Sequence, residues 1–470
     1  MVRPSPQIHD ARVRPLGGEP AHGGRFVLYW MQQSQRAAGN HALEHAVQRA
    51  NALGLPLRVG FGLTDGYPEA TWRHYRFMLE GLAETAQALA TRGIPFVLRQ
   101  GPPAQVALEL AQGAAELVCD RGYVRHQRTW RREVVAAAPC PVTEVESDAV
   151  VPVAVASSRA EVGARTLRPR LGRRLDEFLV PLEETALANR GGAADARGLA
   201  LDDLDGLLDR MRIDRAVPPV SHRFRGGTVQ ARARLEAFVR ETLPRYATAR
   251  SEPEAAAVSH LSMYLHFGQI SPIEVACAAR RARAADEASR SSFVEELIVR
   301  RELGINFVTY TEDYDGWRAI PAWARATLAR HAPDPRPALY TRDEIERAAT
   351  GDPYFNAAMR EMRFTGYLHN QMRMYWGKKI LEWTAEPEAA HATALALNNR
   401  YLLDGRDPSS FANIGWVFGL HDRPWPERPV FGTVRSMTAG GLERKSDIGA
   451  YVAAVDRRVA EAQQAGVFPG

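Results

Sequence analysis

Between residues 25 and 147 five short apolar runs alternate with amphipathic segments of helix length, and beyond about residue 227 that alternation never returns. The runs are RFVLYW (25–30), LPLRVGFGL (55–63), IPFVLRQG (94–101), AELVCD (115–120) and PVTEVES (141–147). Helix-period segments lie between them, around Ala42–Leu53, Thr71–Ala90, Ala104–Ala111 and Arg125–Ala138. Strands this short, separated by single helices, predict βαβ units and a parallel sheet. The spacing therefore predicts a doubly wound, Rossmann-like α/β domain over 25–156, with any ligand at the carboxyl ends of the strands. No G-x-G-x-x-G follows the first strand and no G-x-x-x-x-G-K-[ST] occurs anywhere, which argues against a nucleotide-activating enzyme of the adenylating sort. Gln32, Gln35, Arg36 and Asn40 follow the first strand, where they either line a cleft or cap the first helix.

The remaining boundaries follow from composition. Residues 1–24 are expected to be poorly ordered. Residues 157–226 form a connector, Arg-dense in ARTLRPRLGRRLDEF and loop-like in NRGGAADARG, and 227–465 is an all-helical domain. A chain of 470 residues supports two or three cores. Net charge is only +5, yet the basic residues are mainly Arg, which permits a polyanionic partner. Three scattered cysteines give neither a disulfide framework nor metal-ligand spacing, so no metal is expected. No apolar run of membrane length appears, and the first residues lack a signal-peptide core. A cytoplasmic protein with no membrane partner is expected.

Four stretches of the helical half carry chemistry. Residues 398–419, NNRYLLDGRDPSSFANIGWVFG, interleave Asn, Asp and Ser with Tyr401, Phe411, Trp416 and Phe418. Amides and carboxylates among aromatics suit a flat polar ligand held inside a helical body, an irregular helix connection being the alternative. Tyr246 and SHLSMYLHFGQISP (259–272) place Ser259 and Ser262 before a helical run, as a phosphate site or as plain caps. FVEELIVRRELGINF (293–307) sets Glu296 and Arg300 four apart, either a surface ion-pair face or a pair that reads a base edge and a phosphate. FTGYLHNQMRMYWGKKILEW (364–383) is expected within one helical segment over 354–383. Trp376 and Trp383 fall on nearly one face of it, and Arg373 is able to pair with Asp404 or Asp407.

YLHFGQISP, EELIVRREL, HNQMRMYWGKKILEW and LDGRDPSSFANIGW, in that order, resemble the photolyase/cryptochrome family, and within it the class II cyclobutane-pyrimidine-dimer photolyases. The likeness runs from YWMQQSQRAAGNHAL (29–43) to RKSDIGAY (444–451). It implies FAD in the helical domain. Tyr246, Val258, Ser259, His260, Leu261 and Ser262 would lie along the phosphates, with Asn370 and Asp407 beside the cofactor. Arg373 and Asp404 would form an ion pair across the ring system, and Asn398 would face N5, able to accept or donate by its two ends. Glu296 would bind the dimer edge, with Met374 and Trp416 packed on the flipped lesion. Arg300, Arg423, Arg428, Arg435 and Lys445 are candidate phosphate contacts.

The implied reaction is light-driven electron donation to pyrimidine dimers in double-stranded DNA, by a monomer. The alternative is a cryptochrome-like blue-light photoreceptor that does not repair efficiently. Phe355 stands where the family usually carries a relay tryptophan, so photoreduction through Trp376 should be slow or diverted through Trp383, Tyr354 or Tyr375, which motivates that alternative. His260 and Met263 depart from the family's SNLSPY. QSQR (33–36) departs from its commoner Asp-containing pattern, which leaves a second antenna chromophore, of deazaflavin or folate type, undetermined.

Overall fold

The computed structural model describes residues 8–18, 23–191 and 198–468. Strands β1 (Val13–Gly17), β2 (Phe26–Trp30), β3 (Leu57–Leu63), β4 (Phe96–Gln100), β5 (Ala114–Asp120) and β6 (Val142–Val145) form one sheet in the order β1-β6-β5-β2-β3-β4. All neighbours are parallel except β1, which pairs antiparallel with β6. The helices that cross between strands are α1 (His41–Leu53), α2 (Trp72–Thr91), α3 (Pro103–Leu110) and α4 (Arg125–Ala137). Every residue of β2 is buried, as expected for a central strand covered on both faces.

The expectation of a poorly ordered N-terminus through residue 24 is corrected for the part described. Residues 10–12 form a helical turn and 13–17 add the edge strand. Arg12 is buried there and donates to the Glu146, Ala149 and Val150 carbonyls at 3.1, 2.9 and 2.6 Å. Residues 1–7 and 19–22 lie outside the described residues.

Beyond residue 150, the described residues form helices and loops, with no further sheet strand. The connector belongs to two cores. Leu167, Leu171 and Phe178 pack into the helical body, whereas Leu207, Leu208 and Met211 pack with α2 and the sheet residues Phe61 and Leu98. Helices α5 (Arg301–Tyr310), α6 (Pro353–Thr365), α7 (Asn370–Trp383), α8 (Pro387–Tyr401), α9 (Pro408–Val417) and α10 (Ile448–Gln464) build most of that body. The single segment expected over 354–383 is two helices. Gly366, at φ +71°, ends α6 in the left-handed conformation. His369 completes the break, its Nδ1 accepting the Gln371 N–H at 3.2 Å to cap α7.

The α/β domain grips the helical body through buried cations. On α2, Arg73 donates to the Tyr401 carbonyl at 2.7 Å and the Arg363 carbonyl at 2.5 Å, closing the carboxyl ends of α8 and α6. Arg36 pairs with Asp148 at 2.7 Å and donates to the Gly268 carbonyl at 2.9 Å.

Candidate active site

The helical body encloses a cavity of about 880 Å³, and most of the residues singled out in the sequence line it. Its lining includes Tyr246, Val258, Ser259, Leu261 and Ser262, together with Asn370, Arg373, Met374, Asp404 and Asp407. Glu296, Arg300 and Trp416 lie on the same wall system, with Arg428, Arg435 and Lys445 at its exposed rim. Segments more than a hundred residues apart thus converge on one space.

Arg373 and Asp404 form the expected ion pair, one guanidinium nitrogen lying 3.0 and 3.2 Å from the two carboxylate oxygens. Both are nearly buried, and Arg373 Nε has no partner. Asp407 is engaged otherwise. Its Oδ1 accepts the Ser409 N–H at 2.8 Å to cap α9, and its Oδ2 lies 3.3 Å from His266. The reach of Arg373 is therefore to Asp404.

Glu296 does not pair with Arg300. Residues 295–300 form a π-helical turn, which carries Arg300 back to Glu295 at 3.5 Å and leaves Glu296 for Arg250, at 2.9 Å. The wider turn departs from four-residue spacing, as such insertions do at functional sites. Arg300 also stands 5.9 Å from the Trp416 ring centroid. Ser262 is the first residue of a five-residue helix rather than its cap, and the Ser259 Oγ accepts the Leu261 N–H at 3.4 Å.

Several expected residues lie behind the cavity wall. His260, at φ +51°, packs edge-on against Tyr367 at 4.5 Å and tilted against Phe224 at 5.4 Å. Burial, assisted by Arg223 and Arg234, pushes its pKa down to about 3, so it is a neutral core ring. Trp376 and Phe355 are fully buried, and Phe355 meets Trp383 edge to face at 5.0 Å. Arg423, by contrast, is exposed outside the cavity and faces the Trp425 ring at 5.4 Å, while the rim residue Arg435 covers the same ring at 4.2 Å. Asn398 is buried one hydrogen bond behind the cavity residue Ser410, at 2.7 Å.

The sequence reading gave no role to Arg250, Lys378, Ser410 or Trp425, all of which line the cavity. Lys378 donates to the Val417 carbonyl at the end of α9, and burial pushes its pKa down to about 7. Its place beside Lys379 inside an amphipathic run resembles an ordinary surface lysine, so no sequence signal marks it.

At the carboxyl ends of β2 and β5 the topological switch point is filled from within. Asp120 Oδ2 accepts the Gln32, Gln33 and Ser34 backbone N–H groups at 3.0 Å each, and Tyr29 donates to its Oδ1 at 2.8 Å. Asn40 caps α1 through the Leu43 N–H at 3.1 Å. The neighbouring crevice, with Gln32, Gln35, Tyr67 and Arg406 in its walls, holds only about 50 Å³.

An α/β domain gripping a helical body with a deep internal cavity defines the photolyase/cryptochrome architecture. The fold is similar to the crystal structure of a bacterial class III photolyase from Agrobacterium tumefaciens, with a TM-score of 0.71 at 18% identity over 93% of this chain and 87% of that one. It is also similar to the Synechocystis cryptochrome, with a TM-score of 0.69 at 16% identity over 92% and 88%. The profile of the family described as DNA photolyase matches residues 27–187. The deoxyribodipyrimidine photo-lyase of Methanothermobacter thermautotrophicus is 46% identical over 95% of this chain and 98% of its own. That of rice is 40% identical over 96% and 91%, and that of Potorous tridactylus 37% over 90% and 80%. The chain belongs to the DNA photolyase family.

Proposed function

We propose that this protein is a deoxyribodipyrimidine photo-lyase that uses FAD and blue light to reverse cyclobutane pyrimidine dimers in DNA. The observation that carries this reading is the cavity itself. Within one space it brings together a buried Arg373–Asp404 pair, Glu296, Met374, Trp416 and exposed cations. The residues fit the cofactor. Among the buried polar atoms without partners are Arg373 Nε on the wall and Asn398 Oδ1 directly behind it, where a flavin's polar edge would satisfy them. The volume lies within the range of about 300–1,000 Å³ typical of cofactor and ligand sites.

Tyr246 and the segment 258–262 would hold the phosphates, and Arg373, Asp404 and Asn398 would hold the ring system. Reduced FAD, when bound and excited, supplies one electron, which the dimer returns once its two cyclobutane bonds have opened. The chain's own work is positional. The Arg373 cation favours an anionic ring beside it, while its pairing with Asp404 keeps the buried charge compensated. The Glu296 carboxylate is about one third exposed and free to accept N–H bonds from a pyrimidine edge. Met374 and Trp416, both partly buried, offer an apolar bed that excludes water from the flipped lesion. Arg428, Arg435 and Lys445 at the rim, with Arg423 beside Trp425, would take backbone phosphates of double-stranded DNA.

No step is assigned to a second chromophore. Three free cysteines fit a reducing, cytoplasmic setting, and among the described residues no helix is long and apolar enough to cross a membrane. Function as a monomer is part of this proposal. Phe355 bears on how the cofactor becomes reduced and leaves the lesion contacts intact, so it does not favour a photoreceptor over repair. Blue light on the purified, reduced protein should restore dimer-containing oligonucleotides. Unchanged oligonucleotides would refute the assignment.

A further inference from the structure

The Asn398 side chain has one orientation open to it. Its Nδ2 donates to Ser410 Oγ at 2.7 Å and to Asn399 Oδ1 at 3.0 Å, which uses both of its N–H bonds. Its Oδ1 is buried with no partner. An amide can be turned end for end without changing its shape, so its direction has to follow from groups of fixed polarity. Two such groups set Asn399. Asn399 Nδ2 lies 2.6 Å from Glu69 Oε2, and an ionised carboxylate only accepts. The Arg406 backbone N–H, which only donates, lies 3.0 Å from Asn399 Oδ1. With Asn399 fixed at both ends, the atom Asn398 turns toward it must be the nitrogen.

Glu69 does not belong to the helical body. It sits at φ +56° in the loop between β3 and α2 of the α/β domain. The same domain grips this corner twice more. Arg73 holds the Tyr401 carbonyl at 2.7 Å, and His74 Nε2 lies 3.0 Å from both the Leu402 carbonyl and Arg406 Nη1.

We infer that Glu69, Asn399 and Ser410 are positioning residues that lock the Asn398 amide as a permanent acceptor, so that the α/β domain biases the flavin toward its reduced state. The inference rests on the proposed placement of the ring against Asn398. Flavin N5 carries hydrogen when reduced and only a lone pair when oxidised. A locked acceptor bonds the first and opposes the second. The amide able to serve by either end, expected from the sequence, is held to one of them.

The test uses the full-length holoprotein reconstituted with FAD labelled with nitrogen-15 at N5. Two properties are read: the flavin midpoint potential and the N5 chemical shift. Asn399→Leu combined with Ser410→Ala frees the amide to turn. The reduced-to-oxidised ratio at fixed potential should fall about tenfold, the scale of one hydrogen bond, which is about 30 mV for a two-electron couple. The N5 shift should move with it. Should that pair not fold, Glu69→Ala with Ser410→Ala replaces an exposed and a small side chain and should lower the ratio about threefold and move the N5 shift the same way, and Glu69→Gln should restore most of the change.

Asn398→Ala is the control that separates the two ideas. If it moves potential and shift while the lock variants leave both at the wild-type values, the lock is structural only and the inference is overturned. If Asn398→Ala moves neither readout, the placement of the ring is wrong and the inference falls with it.

Discussion

Arg250 holds Glu296 by a 2.9 Å contact between its guanidinium and the carboxylate, in a cavity where Glu296 is the acidic side chain the sequence picks out for the lesion. The pair is about one third exposed on each side, so it contributes little stability of its own. Glu296→Ala is expected to lower discrimination between dimer-containing and undamaged DNA by about 1–3 kcal/mol, as loss of a base-edge contact does. Arg250→Ala should lower it by less than about 1 kcal/mol. Competition binding with FAD content monitored in parallel checks both. Equal discrimination in Glu296→Ala would reassign that carboxylate to structure.

The Arg373–Asp404 pair predicts a different outcome, because removing one partner strands a nearly buried charge. Asp404→Ala should destabilise the fold by about 3–5 kcal/mol and deplete bound flavin. Thermal unfolding and the flavin-to-protein absorbance ratio measure the two effects. A variant with wild-type Tm and full flavin would show that the pair is dispensable.

Phe355 is fully buried against Trp383 at 5.0 Å, and a phenylalanine ring is hard to oxidise. Phe355→Trp is expected to speed reduction of oxidised flavin under blue light with an external reductant. It should leave repair by chemically pre-reduced protein unchanged. Overpacking should lower stability by about 1–3 kcal/mol. Equal photoreduction rates in the two proteins would show that the electron bypasses residue 355.

The rim cations predict salt dependence. Arg423, Arg428, Arg435 and Lys445, if each meets a phosphate, give a slope of log affinity against log salt of roughly −3 to −4 on duplex DNA. Lys445→Ala should make it shallower by about 0.9. Arg435→Ala should do the same and also release Trp425, whose ring the guanidinium covers at 4.2 Å. A flat profile between low and physiological salt would remove the rim from the DNA interface.

A histidine clamps the strand-like hairpin that carries Trp425. Trp425 N–H donates to the Thr433 carbonyl at 2.8 Å, and Arg428 and Gly432 pair backbone to backbone. His331 Nδ1 lies 2.6 Å from Asp334 and its Nε2 2.8 Å from Glu427, with Arg330 on Glu427 at 2.6 Å. Asp334 in turn accepts the Val430 N–H at 2.8 Å. Hydrogen bonding to Glu427, then to Asp334, raises the His331 pKa above 6.5. For a raised histidine the stabilisation is complete below the unfolded value and is lost as pH rises through the folded one. Amide exchange of Arg428 and Gly432 should therefore quicken as pH rises above about 6.5 beyond its intrinsic increase. His331→Gln should abolish that excess, and an unchanged excess in the variant would discount the clamp.

Much of this architecture was legible from periodicity. The five parallel strands announced themselves because short β-rich runs separated by helix-length segments have few other solutions. β1 did not, since VRPLG contains a proline and three exposed residues, and Arg12 places it through carbonyls more than a hundred residues away. The break at Gly366 was hidden because one glycine inside a helical pattern is tolerated, at a cost of about 1 kcal/mol. The π turn at 295–300 was hidden because hydrophobic spacing does not report an added residue per turn. Arg373 with Asp404 was legible as a choice between two aspartates, which the His266 contact of Asp407 resolves. Asn399 stayed invisible because its meaning lies in Glu69, 330 positions earlier.

Asp120 gives the α/β domain an anion of its own. Three backbone N–H groups that converge where a doubly wound sheet ordinarily receives a phosphate are already saturated by a side chain of the adjacent strand. At this point the sheet offers no free nest of N–H groups to a phosphate, and the domain buttresses its neighbour. Its loops are then free to press on the neighbouring helices, as Glu69 does on Asn399.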